Sequence, residues 1–273
     1  MQLTIFQQII LGIIQGITEW LPISSSGFVT LINSNFFGIT DIGFLLHSAL
    51  FLHLGTFLAA LIYFRKDILQ LTRSLFKYKY QDETTKKTLK FLIIATIISG
   101  IIGLIVLQTL MSFESQLQLT GKTITAFVGG LLLLTGIIQI KSKNIGLKKE
   151  RQIKNSDSLF LGFVQGLASI PGISRSGITI STLLLRKFED TTALRLSFLM
   201  SLPIVFLGNI ILNFQDFTKI ATITSIYGLL ASFVFGLLTI SGLMKLSKKI
   251  NFGWFILIFA LIMLASVFVI GSS

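Results

Sequence analysis

The sequence predicts an all-α polytopic membrane protein, built as an inverted-topology repeat with two pairs of re-entrant, broken helices. Of its 273 residues, 52% are hydrophobic, which is too apolar for an ordinary soluble domain. Each of its long charge-free segments could cross a hydrocarbon core of roughly 30 Å as a helix. These segments, which contain no Asp, Glu, Lys or Arg, are residues 44–63, 91–111, 123–140, 196–213, 222–244 and 252–270.

Composition also excludes several classes of site. The chain contains no cysteine, so it has no disulfide, thiolate nucleophile or cysteine metal site.

The first residues lack a basic region and a small-residue cleavage site, so a signal peptide is not expected. The net charge of +12 is concentrated in connecting segments, which indicates membrane topology. Nucleic acid is therefore not expected as a partner.

Two basic segments set the predicted topology. Residues 64–90 carry eight Lys or Arg against three acids, and residues 141–158 carry six against two. Both are predicted to be loops that face the cytoplasm, together with a third basic turn at 244–250. Residues 1–43 must then begin and end on the outer side, and residues 159–195 must begin and end inside. Each of these two stretches is therefore predicted to be a re-entrant pair.

A duplication appears when the sequence is shifted by 150 positions. "LGIIQGITEWLPISSSG" (11–27) then lies over "LGFVQGLASIPGISRSG" (161–177), and eight of the seventeen positions are identical. Combined with the topology, this predicts an inverted repeat with a site near the repeat interface. The prediction is a single integral membrane domain over residues 1–273, with repeat one at about 1–140, a basic cytoplasmic loop at 141–158 and repeat two at about 159–273.

Both copies contain signals for a helix that breaks inside the membrane. A G-x-x-x-G step (12–16 and 162–166) indicates close helix packing. Pro22 or Pro171 follows and interrupts the helix, and serines that are good helix N-caps come next. A new helix N-terminus at this depth presents free N–H groups that favour an anion.

Only two formal charges occur within residues 1–40 and 159–185, namely Glu19 and Arg175. Charges inside a spanning region are unfavourable and mark candidate functional residues. Arg175 is the repeat equivalent of Ser25. A purely structural Glu–Arg pair between the repeats is the alternative, but hydroxyls, a guanidinium and two helix N-termini favour a phosphate site. The side chains expected to meet there are Glu19, Ser24, Ser25, Ser26, Ser174, Arg175, Ser176 and Thr179.

Four strings carry a family resemblance: "QGITEWLPISSSG", "LHLGTFLAALIYFRKDI", "PGISRSGIT" and "RLSFLMSLP". They resemble the signature segments of the undecaprenyl-diphosphate phosphatases, the bacitracin-resistance family, in order and over essentially the whole chain. The resemblance implies a multi-pass enzyme of the cell membrane with its active site on the outer side. It implies hydrolysis of a C55 polyprenyl diphosphate lipid to the monophosphate, which recycles the carrier for cell-wall synthesis.

The resemblance also implies roles for individual residues. Ser25 matches the nucleophile, and Arg175 matches the arginine that binds the diphosphate. Glu19 matches a glutamate linked to activation of the attacking group and to a divalent cation, Mg²⁺ or Ca²⁺. A serine is a weak nucleophile and needs a base such as Glu19. The predicted substrate-binding residues are Ser24, Ser26, Ser174, Ser176, Thr179 and Gln15.

Two positions depart from the family pattern. The chain has Gln15 where the family has Glu, and Phe28 where it commonly has His. With one carboxylate lost, a metal at Glu19 would need substrate oxygens and water to complete its ligands. His53, in "LHLGT", also resembles a family position often occupied by His and is a candidate acid or base.

These departures leave three functional readings open. The first is the phosphatase, the second a polyprenyl-phosphate flippase, and the third a catalytically impaired paralogue that still binds the lipid. Inverted repeats with broken helices are common in transporters, so the flippase remains an alternative hypothesis. The sequence also leaves a homo-oligomer open.

Overall fold

The computed structural model describes residues 3–39, 41–113, 121–141, 146–170, 173–213 and 222–246, with seven further residues between 254 and 265. Within these residues the chain is almost wholly helical and forms no β-strand, which confirms the all-α prediction. Four of the helices described there are long and apolar enough to cross a membrane, as a polytopic protein requires. The helices are α1 (Ile5–Thr18), α2 (Ser25–Phe36), α3 (Ile42–Tyr63), α4 (Arg65–Phe76), α5 (Glu83–Phe113), α6 (Gly121–Lys141), α7 (Asn155–Leu167), α8 (Arg175–Leu185), α9 (Asp190–Asn213) and α10 (Ile223–Leu246).

Five of the six apolar segments predicted from the sequence coincide with α3, α5, α6, α9 and α10. The sixth, 252–270, lies mostly outside the described residues. The prediction that residues 64–90 form a loop is wrong, because α4 and the start of α5 lie there. Charged residues limit where a helix can cross lipid, but they do not end the helix. The Asp82 carboxylate accepts from the Thr85 N–H at 2.9 Å, and such local capping lets α5 begin among charged residues.

Two short helix pairs occupy the places where broken helices were predicted. The helices α1, α2, α7 and α8 have 14, 12, 13 and 11 residues, fewer than the about 20 needed to span a bilayer. Pro22 lies in the first break, and Pro171 lies outside the described residues. The antiparallel relation of the two repeats stays a prediction.

The two breaks end in the same way. The Ser24 hydroxyl accepts from the Gly27 N–H at 3.1 Å and caps α2. The Ser174 hydroxyl accepts from the Gly177 N–H at 3.0 Å and caps α8. These residues are related by the shift of 150, so the duplicated sequence folds into duplicated local structure at the point where each new helix begins.

Glycines allow α1 to approach α10 closely. A Cβ on Gly12 would lie 2.1 Å from the Gly228 carbonyl oxygen, and one on Gly16 would lie 2.8 Å from the Gly236 nitrogen. Both distances are too short for any side chain to fit without moving the backbone. The G-x-x-x-G step predicted to pack helices therefore does so in the first copy.

The second copy packs in a matching way against a different partner. A Cβ on Gly162 of α7 would lie 2.9 Å from the Ala95 carbonyl oxygen of α5, and one on Gly166 would lie 2.5 Å from Ile102 Cβ. Thus α7 of repeat two packs on α5 of repeat one, while α1 of repeat one packs on α10 of repeat two. Both long helices carry small residues four apart, at Ala95, Ser99 and Gly103 on α5 and at Gly228, Ser232 and Gly236 on α10.

Arginines join the connecting segments to the helices. Arg195 of α9 donates to Asp67 of α4 and to Glu150, each at 2.5 Å. Arg186 donates to the fully buried carboxylate of Asp157 and so joins the end of α8 to the start of α7. These ion pairs fix α4 and the 150–152 turn against the rest of the protein.

Candidate active site

The carboxylate of Glu19 lies in the first helix break and is 4% exposed. Its Oε2 accepts from the Ser25 hydroxyl at 2.6 Å and from the Gln15 amide at 2.9 Å. The same oxygen lies 3.1 Å from His53 Nε2. Its other oxygen, Oε1, accepts from Arg175 Nη2. All four neighbours can donate, an arrangement that suits an ionised carboxylate.

Four elements deliver these side chains to one point. Gln15 lies four residues before Glu19 and so shares its helix face. The break then reverses the chain, so that Ser25, the first residue of α2, comes back beside Glu19. Arg175 is the first residue of α8 and arrives from the second repeat, and His53 comes from α3. The structure thus brings the two helix breaks together where Arg175 contacts Glu19.

The ring of His53 is held at both nitrogens. Its Nδ1 lies 2.6 Å from the carbonyl oxygen of Ala49, one turn earlier on α3, and its Nε2 faces Glu19. Both partners are acceptors, so only the doubly protonated ring satisfies both contacts at once. The structure therefore brings the candidate acid or base predicted at His53 into the site.

A small polar cavity opens beside this cluster. Arg175 lines it, and its Nη1 is buried with no hydrogen-bond partner among the described residues. A buried guanidinium donor without a partner fits an anion such as a phosphate oxygen. The lining residues are Glu19, Ile23, Ser24, Ser25, Ser26, His53, Ala168, Ile173, Arg175 and Ser176.

Three of the predicted substrate-binding serines, Ser24, Ser26 and Ser176, line the cavity and also hold its walls. The hydroxyls of Ser24 and Ser26 lie 3.4 Å apart. The hydroxyl of Ser176 donates to the carbonyl oxygen of Leu21 at 2.6 Å. This bond joins the second helix break directly to the first, so Ser176 helps to set the distance between Ser25 and Arg175.

Three predicted substrate-binding residues lie behind the cavity and do not line it. Gln15 binds the Glu19 carboxylate, and Ser174 caps α8. The hydroxyl of Thr179 lies one helical turn beyond Arg175, donates to its carbonyl oxygen at 2.7 Å and lies 2.7 Å from the Ser197 hydroxyl. Gln15 and Thr179 therefore contact Glu19 and Arg175 directly, whereas Ser174 holds the start of α8. Their role in binding substrate stays a prediction.

The residues present do not fit a divalent cation held by Glu19. Both carboxylate oxygens are already occupied by donors, two of which belong to cationic side-chain types, Arg175 and His53. Where the chain is described, no group of three or more His, Cys, Asp or Glu side chains could hold a metal ion. The prediction of Glu19 as a metal ligand is therefore not supported by its contacts.

Sequence reasoning missed the groups that orient the site through the backbone or from α9. The carbonyls of Ala49 and Leu21 leave no mark in a sequence, because every residue has one. Ser197 had a weak signal, since the shift of 150 places it over His47.

Phe28, which replaces a family histidine, packs against the apolar cluster around Leu11 and is not among the cavity residues.

Comparison with known proteins identifies the family to which the chain belongs. The model of the family described as bacitracin resistance protein BacA matches residues 8–265. The chain is 41% identical to the undecaprenyl-diphosphatase of Methanococcoides burtonii, over 93% of this chain and 94% of that protein. It is 38% identical to that of Haloarcula marismortui (89% and 90%) and 34% identical to undecaprenyl-diphosphatase 2 of Halalkalibacterium halodurans (93% and 92%). Matched over nearly its whole length, this chain belongs to the BacA family of bacitracin resistance proteins.

Proposed function

We propose that this chain is a membrane-embedded hydrolase that converts undecaprenyl diphosphate to undecaprenyl monophosphate and inorganic phosphate. The names of its relatives and of its family support this reaction. The observation that carries the proposal is the contact of the Ser25 hydroxyl with Glu19 at 2.6 Å, with the Arg175 guanidinium on the other carboxylate oxygen. A hydroxyl, a base and an arginine in contact are the groups that phosphoryl transfer needs.

In this mechanism Glu19 is the general base. The Ser25 hydroxyl already donates to its Oε2, so the proton can pass to the carboxylate as the oxygen attacks the terminal phosphorus. The bond from that phosphorus to the bridging oxygen breaks, and the lipid monophosphate leaves with the bridging oxygen. Two routes are consistent with this geometry: a phosphoserine that water then hydrolyses, or a water that Ser25 and Glu19 orient.

Arg175 and His53 provide the positive charge that the diphosphate needs. The unpartnered Nη1 of Arg175 binds a phosphate oxygen, and the guanidinium stabilises charge on the transferring group. His53 Nε2, fixed by the bond of Nδ1 to Ala49, donates a proton to the bridging oxygen of the leaving group. In this way His53 takes the acid role for which Phe28 has no chemistry.

The proposal extends to the location of the protein and to the use of its product. The protein lies in the cell membrane with its cavity open to the outer side, where it recycles the lipid carrier of cell-wall synthesis. Regenerating the monophosphate counters bacitracin, in line with the family description. A homo-oligomer is not needed to complete the site, since all four side chains on Glu19 come from one chain. Dependence on Mg²⁺ or Ca²⁺ stays a prediction.

The proposal is tested by phosphate release from undecaprenyl diphosphate with purified protein, with and without a chelator. We expect phosphate to be released in stoichiometric amounts with the lipid monophosphate. Movement of a polyprenyl phosphate across vesicles without phosphate release would replace the phosphatase with the flippase. Lipid binding with neither activity would indicate an impaired paralogue. A loss of activity with chelator that added Mg²⁺ or Ca²⁺ restores would support the predicted cation.

The substitution Phe28→His separates an impaired enzyme from one that uses His53. Because Phe28 packs in an apolar cluster and His53 already contacts Glu19, we expect Phe28→His to change kcat by less than about threefold, whereas His53→Asn should lower it about 100-fold. Both are measured in the phosphate-release assay. A large gain from Phe28→His, with no loss from His53→Asn, would show that His53 has no part in the reaction.

A further inference from the structure

Helix α4 has two different faces. Its inner face is tied to the protein, because Ile68 and Leu71 pack against the main hydrophobic cluster and Asp67 binds Arg195. The Gln70 amide also donates to the Thr85 hydroxyl of α5 at 2.9 Å, and Ser74 is fully buried. The helix is therefore held in one orientation, and the side chains on its opposite face point away from the protein.

The outer face of α4 exposes large apolar side chains next to basic ones. Leu69 and Phe76 share this face at a spacing of seven residues and are 55% and 86% exposed. Tyr80, just beyond the helix, is 89% exposed. Lys66 and Arg73 lie on the same side of the helix and take part in none of the ion pairs found among the described residues. Apolar residues flanked by free basic groups are typical of a helix that lies on a lipid surface.

The position of α4 in the chain places it at the membrane boundary. It begins two residues after α3 ends, and α5 begins seven residues after α4 ends. Both of those neighbours are long and apolar enough to cross the membrane. A 12-residue helix between two such helices, fixed to the protein by its inner face, meets the headgroup layer where α3 and α5 leave the lipid.

We propose that the outer face of α4 is a lipid-binding surface that rests on the anionic leaflet of the membrane. Leu69 and Phe76 insert at the boundary between headgroups and acyl chains, and Lys66 and Arg73 bind lipid phosphate groups. Tyr80 lies at headgroup depth, where tyrosine is enriched in membrane proteins. The positive charge of 64–90 thus does more than set topology: it binds acidic phospholipid. This inference depends on the membrane embedding and not on the phosphatase reaction.

The test uses single cysteines, since the natural chain has none. Nitroxide labels are placed at Phe76→Cys and Leu69→Cys, with Lys149→Cys as the exposed control, in full-length protein reconstituted into vesicles. Accessibility to oxygen and to a water-soluble nickel complex is compared in phosphatidylcholine alone and with about 30% phosphatidylglycerol. In the anionic vesicles we expect an oxygen-to-nickel ratio at least about threefold higher at 69 and 76 than at 149.

The paired substitution Lys66→Gln and Arg73→Gln, made with the label at 76, tests the role of charge. It should lower the ratio in anionic vesicles and leave the ratio in phosphatidylcholine unchanged. Equal nickel accessibility at 76 and 149 in anionic vesicles would show that the face is in water and overturn the proposal. Shielding of the label from both reagents, whatever the lipid, would show that protein covers it and would also overturn the proposal. The Leu69 label repeats the measurement if the Phe76 variant does not fold.

Discussion

Replacing Ser25 with alanine should lower kcat for phosphate release at least about 1,000-fold. The variant removes the only hydroxyl found on Glu19 in the described structure, and therefore the attacking group or the group that orients water. The fold should survive, because Glu19 keeps its contacts with Gln15, His53 and Arg175. The measurement is kcat and KM with purified protein, together with its melting temperature.

The matched control for this variant is Ser34→Ala. Ser34 lies on the same helix, is 7% exposed, and among the described residues donates only to the Leu31 carbonyl of its own helix, at 3.3 Å. We expect its kcat to stay within about twofold of the natural protein, since that bond is local and lies outside the cavity. If Ser25→Ala retained most of its activity, the nucleophile and the water-orienting role would both have to be assigned elsewhere, and the mechanism proposed above would fail.

Replacing Arg175 with lysine should lower kcat about 1,000-fold, even though the charge is kept. Arg175 uses one nitrogen on Glu19 and has a second, Nη1, buried without a partner among the described residues. A lysine has a single ammonium and cannot hold Glu19 and a phosphate oxygen in the same planar geometry. The measurements are kcat, KM and the binding of a non-hydrolysable diphosphate lipid. We expect kcat to fall, KM to rise and the binding to weaken.

This variant also decides whether the Glu19–Arg175 pair only holds the repeats together. The comparison is Arg186→Lys, because Arg186 joins α7 to α8 through buried Asp157 and lies outside the cavity. We expect Arg186→Lys to lower the melting temperature while kcat of the folded fraction is kept. If Arg175→Lys behaved in the same way, losing stability but not kcat, the structural interpretation of the pair would be correct.

The charges were the most informative part of the sequence. Glu19 and Arg175 stand out because a charge is unfavourable in lipid, and the duplication alone places Arg175 opposite Ser25. The helix boundaries were predicted less well from the sequence, because charge indicates where a helix can cross lipid and gives no signal for α4. The roles of the Thr179 and Ser174 hydroxyls could not be predicted from the sequence either. A hydroxyl can equally cap a helix, donate to a carbonyl one turn earlier, or bind substrate.

The exchange of packing partners between the two halves has a consequence for how such a protein arose. Since α1 rests on α10 and α7 rests on α5, neither half encloses its own glycine faces. An ancestral single copy would have left those faces bare unless a second copy covered them. The chain is thus organised as a linked pair, in which one repeat provides the acid, Glu19, and the other provides the guanidinium, Arg175.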